Sequence, residues 1–245
     1  MNRYLMIANY GDDSIALMQW FIESETQVTI VSVDTGWAAP EWSERVERAE
    51  AYGREYGLDI QRLQALQSFP QAVLDRKQFP SIKFQWCAPF LKGLAINQYL
   101  DEIDPACEMT VCSARRRLGS RANRDLTEYV DSSEYFNERR MYYPLLEMTL
   151  LARDDLIRRA GFELLGHRSK ECDPCIHSSR QDFSKLDSDN IEKTRQLEDS
   201  LGQTMFERPI VEQVQWATEA SDAQELLRPQ EGFDMGCGMP WGCGE

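Results

Sequence analysis

The chain has 245 residues, 42% of them hydrophobic, and a formal net charge of −14, which suits one sizeable core with a small appendage. The acidic balance argues against broad attraction to nucleic acid, because binding to phosphate backbones rests on basic surface. We recognise no secretory leader and no stretch near the roughly 20 apolar residues of a membrane helix, so we expect a soluble, cytoplasmic protein without membrane contact.

The first part of the chain alternates between strand and helix patterns. Residues 3–9 predict a buried strand, residues 14–23 a helix with a broad apolar face, and residues 27–36 a second strand. A helix over 39–57 and a short third strand over 58–63 follow. This alternation implies an α/β fold with a doubly wound parallel sheet and right-handed crossovers.

The later elements are more widely spaced. We predict a helix over 88–103, a fourth strand over 107–113, and helices over 151–161 and 188–202. The stretches without a predicted element are 66–86, 126–145 and 162–190, and the tail from 205 has weak periodicity.

Two carboxylates follow the first predicted strand, in the stretch NYGDDS over 9–14. Ligands of open parallel sheets bind beyond the carboxyl ends of the strands. Gly11 would let the backbone approach a phosphate, and Ser14 and the first helical amides would donate to it. Asp12 and Asp13 would orient the loop, cap the helix or hold a Mg²⁺ ion that bridges phosphate oxygens. A plain helix N-cap by Asp13 or Ser14 is the alternative.

The seven cysteines argue against a disulfide framework in a cytoplasmic chain. Cys107 and Cys112 fall in or beside an apolar strand, so we expect both in the core. Cys87 precedes a helix whose dipole would stabilise its thiolate. Cys172 and Cys175 form a C-x-x-C sequence, which can hold a metal or an iron–sulfur cluster or act as a redox pair.

The stretch NYGDDS resembles the pyrophosphate loop, roughly SGGxDS, of the ATP pyrophosphatase (PP-loop) superfamily, with Asn9 and Tyr10 replacing its Ser and first Gly. Five further segments, in the same order, resemble the phosphoadenosine phosphosulfate (PAPS) reductase family: VDTGWAAPEWSERVERAEAYGREYGLDI, WCAPFLKGLAINQYL, VCSARRRLGSRANRD, YYPLLEMTLLARDDL and KECDPCI. The resemblance departs at Leu118-Gly119, where the family often has Glu-Ser. It implies a Rossmann-like, adenine nucleotide alpha-hydrolase-like fold. It also implies a nucleotide-binding domain over 1–165, with a cysteine-containing C-terminal extension over 166–245 packed on it.

The resemblance implies that the loop binds the phosphates of ATP or of an adenylated substrate. The residues carried over are Asn9, Gly11, Asp13 and Ser14, with Asp13 also catalytic. Asp34, at the tip of the second strand, would lie near the nucleotide or its metal. A loop-stabilising Asp-Thr turn is the alternative for Asp34.

The resemblance further implies that Lys92 and Arg115 are catalytic and neutralise phosphate or sulfate charge, because charge-assisted contacts in a dry cleft are strong. Arg121 is placed with the nucleotide-binding residues. For Arg121 and Arg124 the choice between phosphate contact and plain solvation stays open. For Lys92 a solvent-facing helix position is the alternative.

Cysteines at the places of Cys87, Cys172 and Cys175 bind a [4Fe–4S] cluster in the DNA phosphorothioation and adenosine phosphosulfate (APS) reductase branches of the family. A four-thiolate site needs one more ligand, from Cys237 or Cys243. We predict Cys243 as that ligand and Cys237 as a catalytic thiol, since the family's reductases end in a catalytic ECGlH cysteine. Zinc and metal-free thiols are the alternatives.

Three functions follow from the resemblance. The first is an enzyme that adenylates an acceptor with ATP for sulfur transfer, as in DNA phosphorothioation or tRNA thiolation. It implies a sulfur donor such as a cysteine desulfurase, a nucleic-acid substrate presented by a partner, and leaves a homodimer open. The second is a thioredoxin-dependent PAPS or APS reductase that releases sulfite. The third is a non-catalytic, nucleotide-binding assembly subunit.

Overall fold

The computed structural model describes residues 3–118, 123–219 and 240–241. Its strands are β1 (Tyr4–Ile7), β2 (Val28–Asp34), β3 (Asp59–Gln64), β4 (Thr110–Cys112), β5 (Tyr129–Ser133) and β6 (Arg139–Tyr142). They form one sheet in the order β3-β2-β1-β4-β6-β5. The neighbouring strands are parallel except β5 and β6, which pair antiparallel. The predicted α/β fold with a doubly wound, largely parallel sheet is confirmed.

Helices cover the sheet on both faces. They are α1 (Asp12–Glu23), α2 (Trp42–Glu55), α3 (Phe69–Arg76), α4 (Leu94–Ile103), α5 (Leu150–Arg159), α6 (Arg180–Ser184), α7 (Ser188–Leu201) and α8 (Ile210–Thr218). A π-helical turn, Ala88–Gly93, leads into α4, and a 3-10 helix, Glu134–Phe136, lies between β5 and β6. Within the described ranges, no helix combines the length and apolar character needed to cross a membrane.

Two separate buried clusters show the layering. One contains side chains of α1, α2 and α5, among them Ile15, Leu17 and Leu156. The other contains side chains of α4 and the 3-10 helix, among them Ile96 and Phe136. Helices on both faces explain why the central strands are almost continuously apolar.

Several elements differ from the sequence-based predictions. The helix α3 lies in a stretch expected to be irregular, and the Ser68 hydroxyl caps it by accepting from the Gln71 amide. β5, β6 and α8 also lie where no element was predicted. The expectation that Cys107 is in the core is wrong: it is exposed, in a turn with φ of 54°, whereas Cys112 is buried.

The strand order places the ligand crevice of such a sheet. From β1 the chain adds β2 and β3 on one side, then crosses back to add β4 on the other side of β1. The order therefore reverses between β1 and β4, and ligands of doubly wound sheets bind beyond the carboxyl ends of the strands at that point. The segments that leave these two ends are 8–11 and 113–117.

Candidate functional site

Hydrogen bonds among residues 9–14 fix the conformation of the loop that follows β1. The Asn9 Oδ1 atom accepts from the Gly11 amide at 2.8 Å and from the Ser14 hydroxyl at 2.9 Å, and the Asn9 amide donates to Ser14 Oγ at 3.2 Å. Helix α1 begins at Asp12 with Gly11 as its N-cap and no side-chain capping bond. The alternative of a capping role for Asp13 or Ser14 is therefore wrong. The loop and the start of α1 bring together the predicted nucleotide-binding residues Asn9, Gly11, Asp13 and Ser14, all of them buried, and their contact with nucleotide stays a prediction.

Tyr10 occupies the place of the first glycine in the pyrophosphate-loop pattern. Its φ of 58° is in the left-handed region that favours glycine. The ring is 1% exposed and belongs to the core cluster around α1, so it lies inside the protein. Burial, with a smaller contribution from Glu50, raises the pKa of the Tyr10 hydroxyl. The loop thus has a glycine-like backbone although the residue is aromatic.

Asp12 fastens the loop to distant segments. Its carboxylate accepts from Arg45 Nη2 at 3.2 Å and from the Leu165 amide at 3.1 Å. Arg45 Nε also donates to the Tyr10 carbonyl at 2.8 Å. Burial raises the pKa of Asp12, while the contacts with Leu165 and the nearby arginines oppose that shift.

Asp13 joins three elements at the N-terminus of α1. Its Oδ1 atom accepts from Arg116 Nε at 2.9 Å and from Arg153 Nη1 at 3.2 Å. Arg153 also donates to the Asp154 carboxylate at 2.5 Å. Arg116 lies in the loop after β4, and its neighbour Arg115, predicted as a catalytic residue, is buried there. Sequence reasoning noticed Arg116 only as part of an arginine run and missed Arg153, which lies in a helix without any site-like pattern.

Arg117 fastens the loop after β4. It donates to Glu147 at 2.8 Å, to the Leu126 carbonyl at 2.8 Å and to the Arg124 carbonyl. Through these contacts Arg117 holds the loop after β4 in position. Arg121 lies outside the described residues, so its nucleotide-binding role stays a prediction.

Asp34 lies at the carboxyl end of β2 and is exposed. Its Oδ1 atom accepts from the Gly36 amide at 2.8 Å. Gly36 has a φ of 67°, which a residue with a side chain adopts only with strain. This contact corresponds to the turn-stabilising alternative, and a nucleotide contact of Asp34 stays a prediction.

Three of the predicted cysteine ligands line one cavity. The cavity lies between the end of β2, the π-helical turn and the segment 168–177, and it has aromatic walls. Its lining includes Thr35, Trp37, Phe69, Cys87, Lys92, Glu171, Cys172, Cys175 and His177. The structure therefore places Cys87, Cys172 and Cys175 in the lining of one cavity.

Lys92 is paired inside that cavity. Its Nζ atom lies 2.5 Å from Glu171 Oε1, and both side chains are largely buried. Burial raises the pKa of Glu171, and the Lys92 charge opposes that shift. The solvent-facing alternative for Lys92 is wrong, while Glu171 was missed because nothing in the sequence distinguishes it. A catalytic role of Lys92 stays a prediction.

The cysteine loop is held by local contacts. Cys172 Sγ lies 3.7 Å from Thr35 Oγ1, and the His177 amide donates to Cys175 Sγ at 3.5 Å. Trp37 Nε1 donates to the Pro174 carbonyl at 3.1 Å. Burial lowers the pKa of His177 to about 4, so its ring is neutral at pH 7.

The described thiols do not by themselves form a metal site. In the ranges 3–118, 123–219 and 240–241, no three Cys, His, Asp or Glu side chains converge closely enough to hold a metal ion. Cys237 and Cys243 lie outside these ranges. The predicted [4Fe–4S] ligand set and the catalytic role of Cys237 therefore stay predictions.

Comparison with known proteins bears on the family and the fold. The family model for the phosphoadenosine phosphosulfate reductase domain matches residues 3–171. No curated protein matches the chain. The NMN synthetase of Francisella tularensis superposes with a TM-score of 0.50 at 10% identity, covering 88% of this chain and 83% of that one. The PAPS reductase of Candida auris, a phosphate complex, gives a TM-score of 0.47 at 11% identity, covering 67% of this chain and 75% of that one. At such identities the likeness to NMN synthetase shows the fold alone.

Proposed function

The chain belongs to the phosphoadenosine phosphosulfate reductase domain family, and from this premise we propose that it is a PP-loop ATP pyrophosphatase that adenylates an acceptor for sulfur transfer. An acceptor oxygen attacks the α-phosphorus of ATP, its proton passes to solvent, and pyrophosphate leaves. A sulfur nucleophile then displaces AMP, which departs with the acceptor's oxygen.

The observation that carries this proposal is the hydrogen-bonded loop of Asn9, Gly11 and Ser14. It follows β1, where the strand order reverses between β1 and β4. The loop is held in shape by its own hydrogen bonds, and the helix behind it has no side-chain cap. An uncapped helix N-terminus presents backbone N–H groups and a positive dipole end, which favour phosphate. The β and γ phosphates of ATP fit this place, with Mg²⁺ entering as part of the nucleotide substrate.

Arg115 and Lys92 would neutralise phosphate charge in this proposal. Arg115 is buried in the loop after β4, and Lys92 is buried in the cavity that three cysteines line. A buried guanidinium binds phosphate oxygens in bidentate fashion, while a lysine supplies a compact charge. Lys92 would turn from Glu171 toward the substrate.

The sulfur supply and the acceptor belong to partners in this proposal. A net charge of −14 disfavours unaided binding to nucleic acid, so a nucleic-acid acceptor would be presented by another protein. A cysteine desulfurase or comparable donor would deliver sulfur to the thiol-lined cavity. The predicted [4Fe–4S] cluster, with zinc as the alternative, would involve the same cavity.

Metal content tests the thiol cavity directly. Protein purified without oxygen is expected to contain about four irons per chain and to lose them in Cys175→Ser. Cys107→Ser is the matched control, because Cys107 is exposed and lies away from the cavity lining. Iron-free protein, or iron retained in Cys175→Ser, would contradict the cluster.

The adenylation proposal is tested by ATP binding and pyrophosphate release. Wild-type protein with Mg²⁺-ATP is expected to release pyrophosphate, slowly with water as acceptor, and Ser14→Ala to lose about tenfold or more in rate. Ser200→Ala, an exposed serine within α7, is the control and should match wild type. Absence of ATP binding by the wild type would overturn the proposal, and binding without pyrophosphate release would favour the assembly subunit.

The second candidate is a thioredoxin-dependent reductase, favoured by the name of the matching family model. It is tested by incubation with PAPS or APS and reduced thioredoxin. Sulfite at enzymatic rates would replace the adenylation proposal.

A further inference from the structure

We propose that Arg116 and Arg153 are further phosphate-binding residues, and that the Asp13 carboxylate holds their guanidinium groups in position until a Mg²⁺-bound polyphosphate replaces it. The inference rests on the proposed nucleotide function and assigns roles to Asp13, Arg116 and Arg153, while Asp154 keeps its own contact with Arg153. In the exchange, polyphosphate oxygens take the two arginines and the released carboxylate turns to Mg²⁺. No covalent bond changes.

The geometry joins three separate elements at one oxygen atom. Asp13 Oδ1 lies 2.9 Å from Arg116 Nε in the loop after β4, and 3.2 Å from Arg153 Nη1 on α5. The side chains of Asp13, Arg116 and Arg153 are 12%, 11% and 14% exposed. Arg153 also donates through Nε and Nη2 to Asp154, so its Nη1 atom is the one that reaches Asp13, the second residue of α1.

The carboxylate occupies a position that suits an anion of higher charge. Phosphate is favoured at a helix N-terminus because the dipole and the free amides act together there. Arginine matches phosphate oxygens as well as carboxylate oxygens. A polyphosphate with Mg²⁺ can replace Asp13 without leaving any charge unpaired, since a free carboxylate is a preferred Mg²⁺ ligand. Without the cation, the polyphosphate must displace the Asp13 carboxylate although the two negative charges repel each other.

Two neighbouring arginines show a different pattern. Arg45 binds Asp12 but also donates to the Tyr10 carbonyl, and Arg117 binds Glu147 and the Leu126 carbonyl. Such backbone contacts are independent of any ligand and fasten loops. Arg116 and Arg153, by contrast, share the Asp13 carboxylate next to the phosphate-binding loop, and the further partner of the Arg153 side chain, Asp154, lies beside it on α5.

The first test is Asp13→Asn, which keeps the shape of the side chain and removes its charge. Equilibrium binding of inorganic pyrophosphate is measured by calorimetry in EDTA and in excess Mg²⁺. Wild type should bind weakly in EDTA and at least about tenfold more tightly with Mg²⁺. Asp13→Asn should bind about tenfold more tightly than wild type in EDTA and gain nothing from Mg²⁺. Equal or weaker binding by the variant in EDTA would overturn the inference.

The second test uses α5 and does not depend on Asp13→Asn folding. Arg153→Ala should lose about fivefold or more in pyrophosphate affinity with Mg²⁺. Arg158→Ala removes the same charge from the same helix, where the side chain is 57% exposed, and should bind like wild type. Arg153→Ala binding as tightly as Arg158→Ala would also overturn the inference.

The two proposals fail in different ways. Wild type that binds neither pyrophosphate nor ATP in Mg²⁺ would overturn the proposed function together with this inference. Wild type that binds both, with Asp13→Asn no tighter in EDTA, would overturn the role of Asp13 and leave the proposed function standing.

Discussion

The indole ring of Trp241 lies against Gly93, so that a Cβ atom at Gly93 would stand 2.9 Å from ring atoms Cε2 and Cζ2. Trp241 is 3% exposed, and its ring centroid is 4.5 Å from that of Phe136. Gly93 directly follows Lys92, which pairs with Glu171 in the cavity. A residue near the end of the chain therefore packs on the turn that positions a proposed catalytic lysine.

Gly93→Ala is expected to destabilise the protein by about 1–3 kcal/mol, because the added methyl group forces the ring of Trp241 to move. The higher helix propensity of alanine opposes this by about 1 kcal/mol. In a Trp241→Ala background the clash is absent, so the same substitution should become neutral or stabilising. Urea denaturation of the wild type, Gly93→Ala, Trp241→Ala and the double variant measures the sign of the Gly93→Ala effect with and without the Trp241 ring.

Gly166→Ala is the control for that comparison, because no atom beyond the adjacent residues lies within 4 Å of the position a Cβ would take and its φ is not left-handed. It should change the free energy of unfolding equally with and without Trp241. A cost of Gly93→Ala that is unchanged by Trp241→Ala would show that the contact is not its cause.

Tyr10→Gly should lower stability and preserve phosphate binding. Relief of the left-handed backbone at Tyr10 gains roughly 1 kcal/mol, while removal of a fully buried ring costs about 3–5 kcal/mol. The net loss is about 2–4 kcal/mol in urea denaturation. Pyrophosphate affinity with Mg²⁺ should stay within about threefold of wild type, since the loop backbone already has a conformation that glycine favours.

Lys77→Gly isolates the backbone part of that argument. Lys77 has a φ of 53° at the C-cap of α3 and an exposed side chain, so the variant relieves strain without emptying the core. Its free energy of unfolding should rise by up to about 1 kcal/mol.

Loss of pyrophosphate binding in Tyr10→Gly would mean that the aromatic ring shapes the loop.

The first three strands and two helices were predictable because their apolar periodicity is strong and Gly or Pro residues bound them. The loop of Asn9, Gly11 and Ser14 was predictable because its contacts are local. The Asp13 contacts were not, because Arg116 and Arg153 lie 103 and 140 residues further along the chain. An ion pair between distant segments leaves no periodic trace in a single sequence.

The strands β5 and β6 were missed for a related reason. β6 contains Arg139, which is fully buried, so its sequence reads as polar although the strand is internal. Asp104 compensates that charge from 35 residues away. Local patterns also mislead at Cys107, where an apolar neighbourhood predicted burial and a turn exposes the thiol.

Cysteine labelling separates Cys107 from Cys112. Iodoacetamide should modify Cys107 readily in the native protein. Cys112 should stay unmodified, because it is 0% exposed and burial raises the pKa of its thiol. Mass spectrometry of digested native protein measures both, and urea-unfolded protein, in which both should react, is the control. Equal labelling of the two in the native protein would contradict the placement of β4.

Asp104, at the end of α4, and Arg139, the first residue of β6, form a buried ion pair. Asp104 Oδ2 accepts from Arg139 Nε at 2.8 Å and from the Met109 amide at 3.0 Å. Burial alone would raise the pKa of Asp104, but the contacts with Arg139 and the amides outweigh it and lower that pKa below 3.8. Asp104→Asn leaves an unmatched buried guanidinium and should cost about 3–5 kcal/mol at pH 7.

The same pair predicts a pH dependence with a definite sign. Because the pKa of Asp104 is lower in the folded state, its stabilising contribution is complete above pH 3.8 and is lost as the pH falls through the folded-state value. Wild type should therefore lose more stability than Asp104→Asn between pH 5 and pH 3 in urea denaturation. Asp101→Asn is the control, since Asp101 is 55% exposed and its contact with Arg139 is worth less than about 1 kcal/mol. Parallel stability curves for wild type and Asp104→Asn would mean that Asp104 titrates alike in the folded and unfolded chains, and the ion pair would then not explain the burial of Arg139.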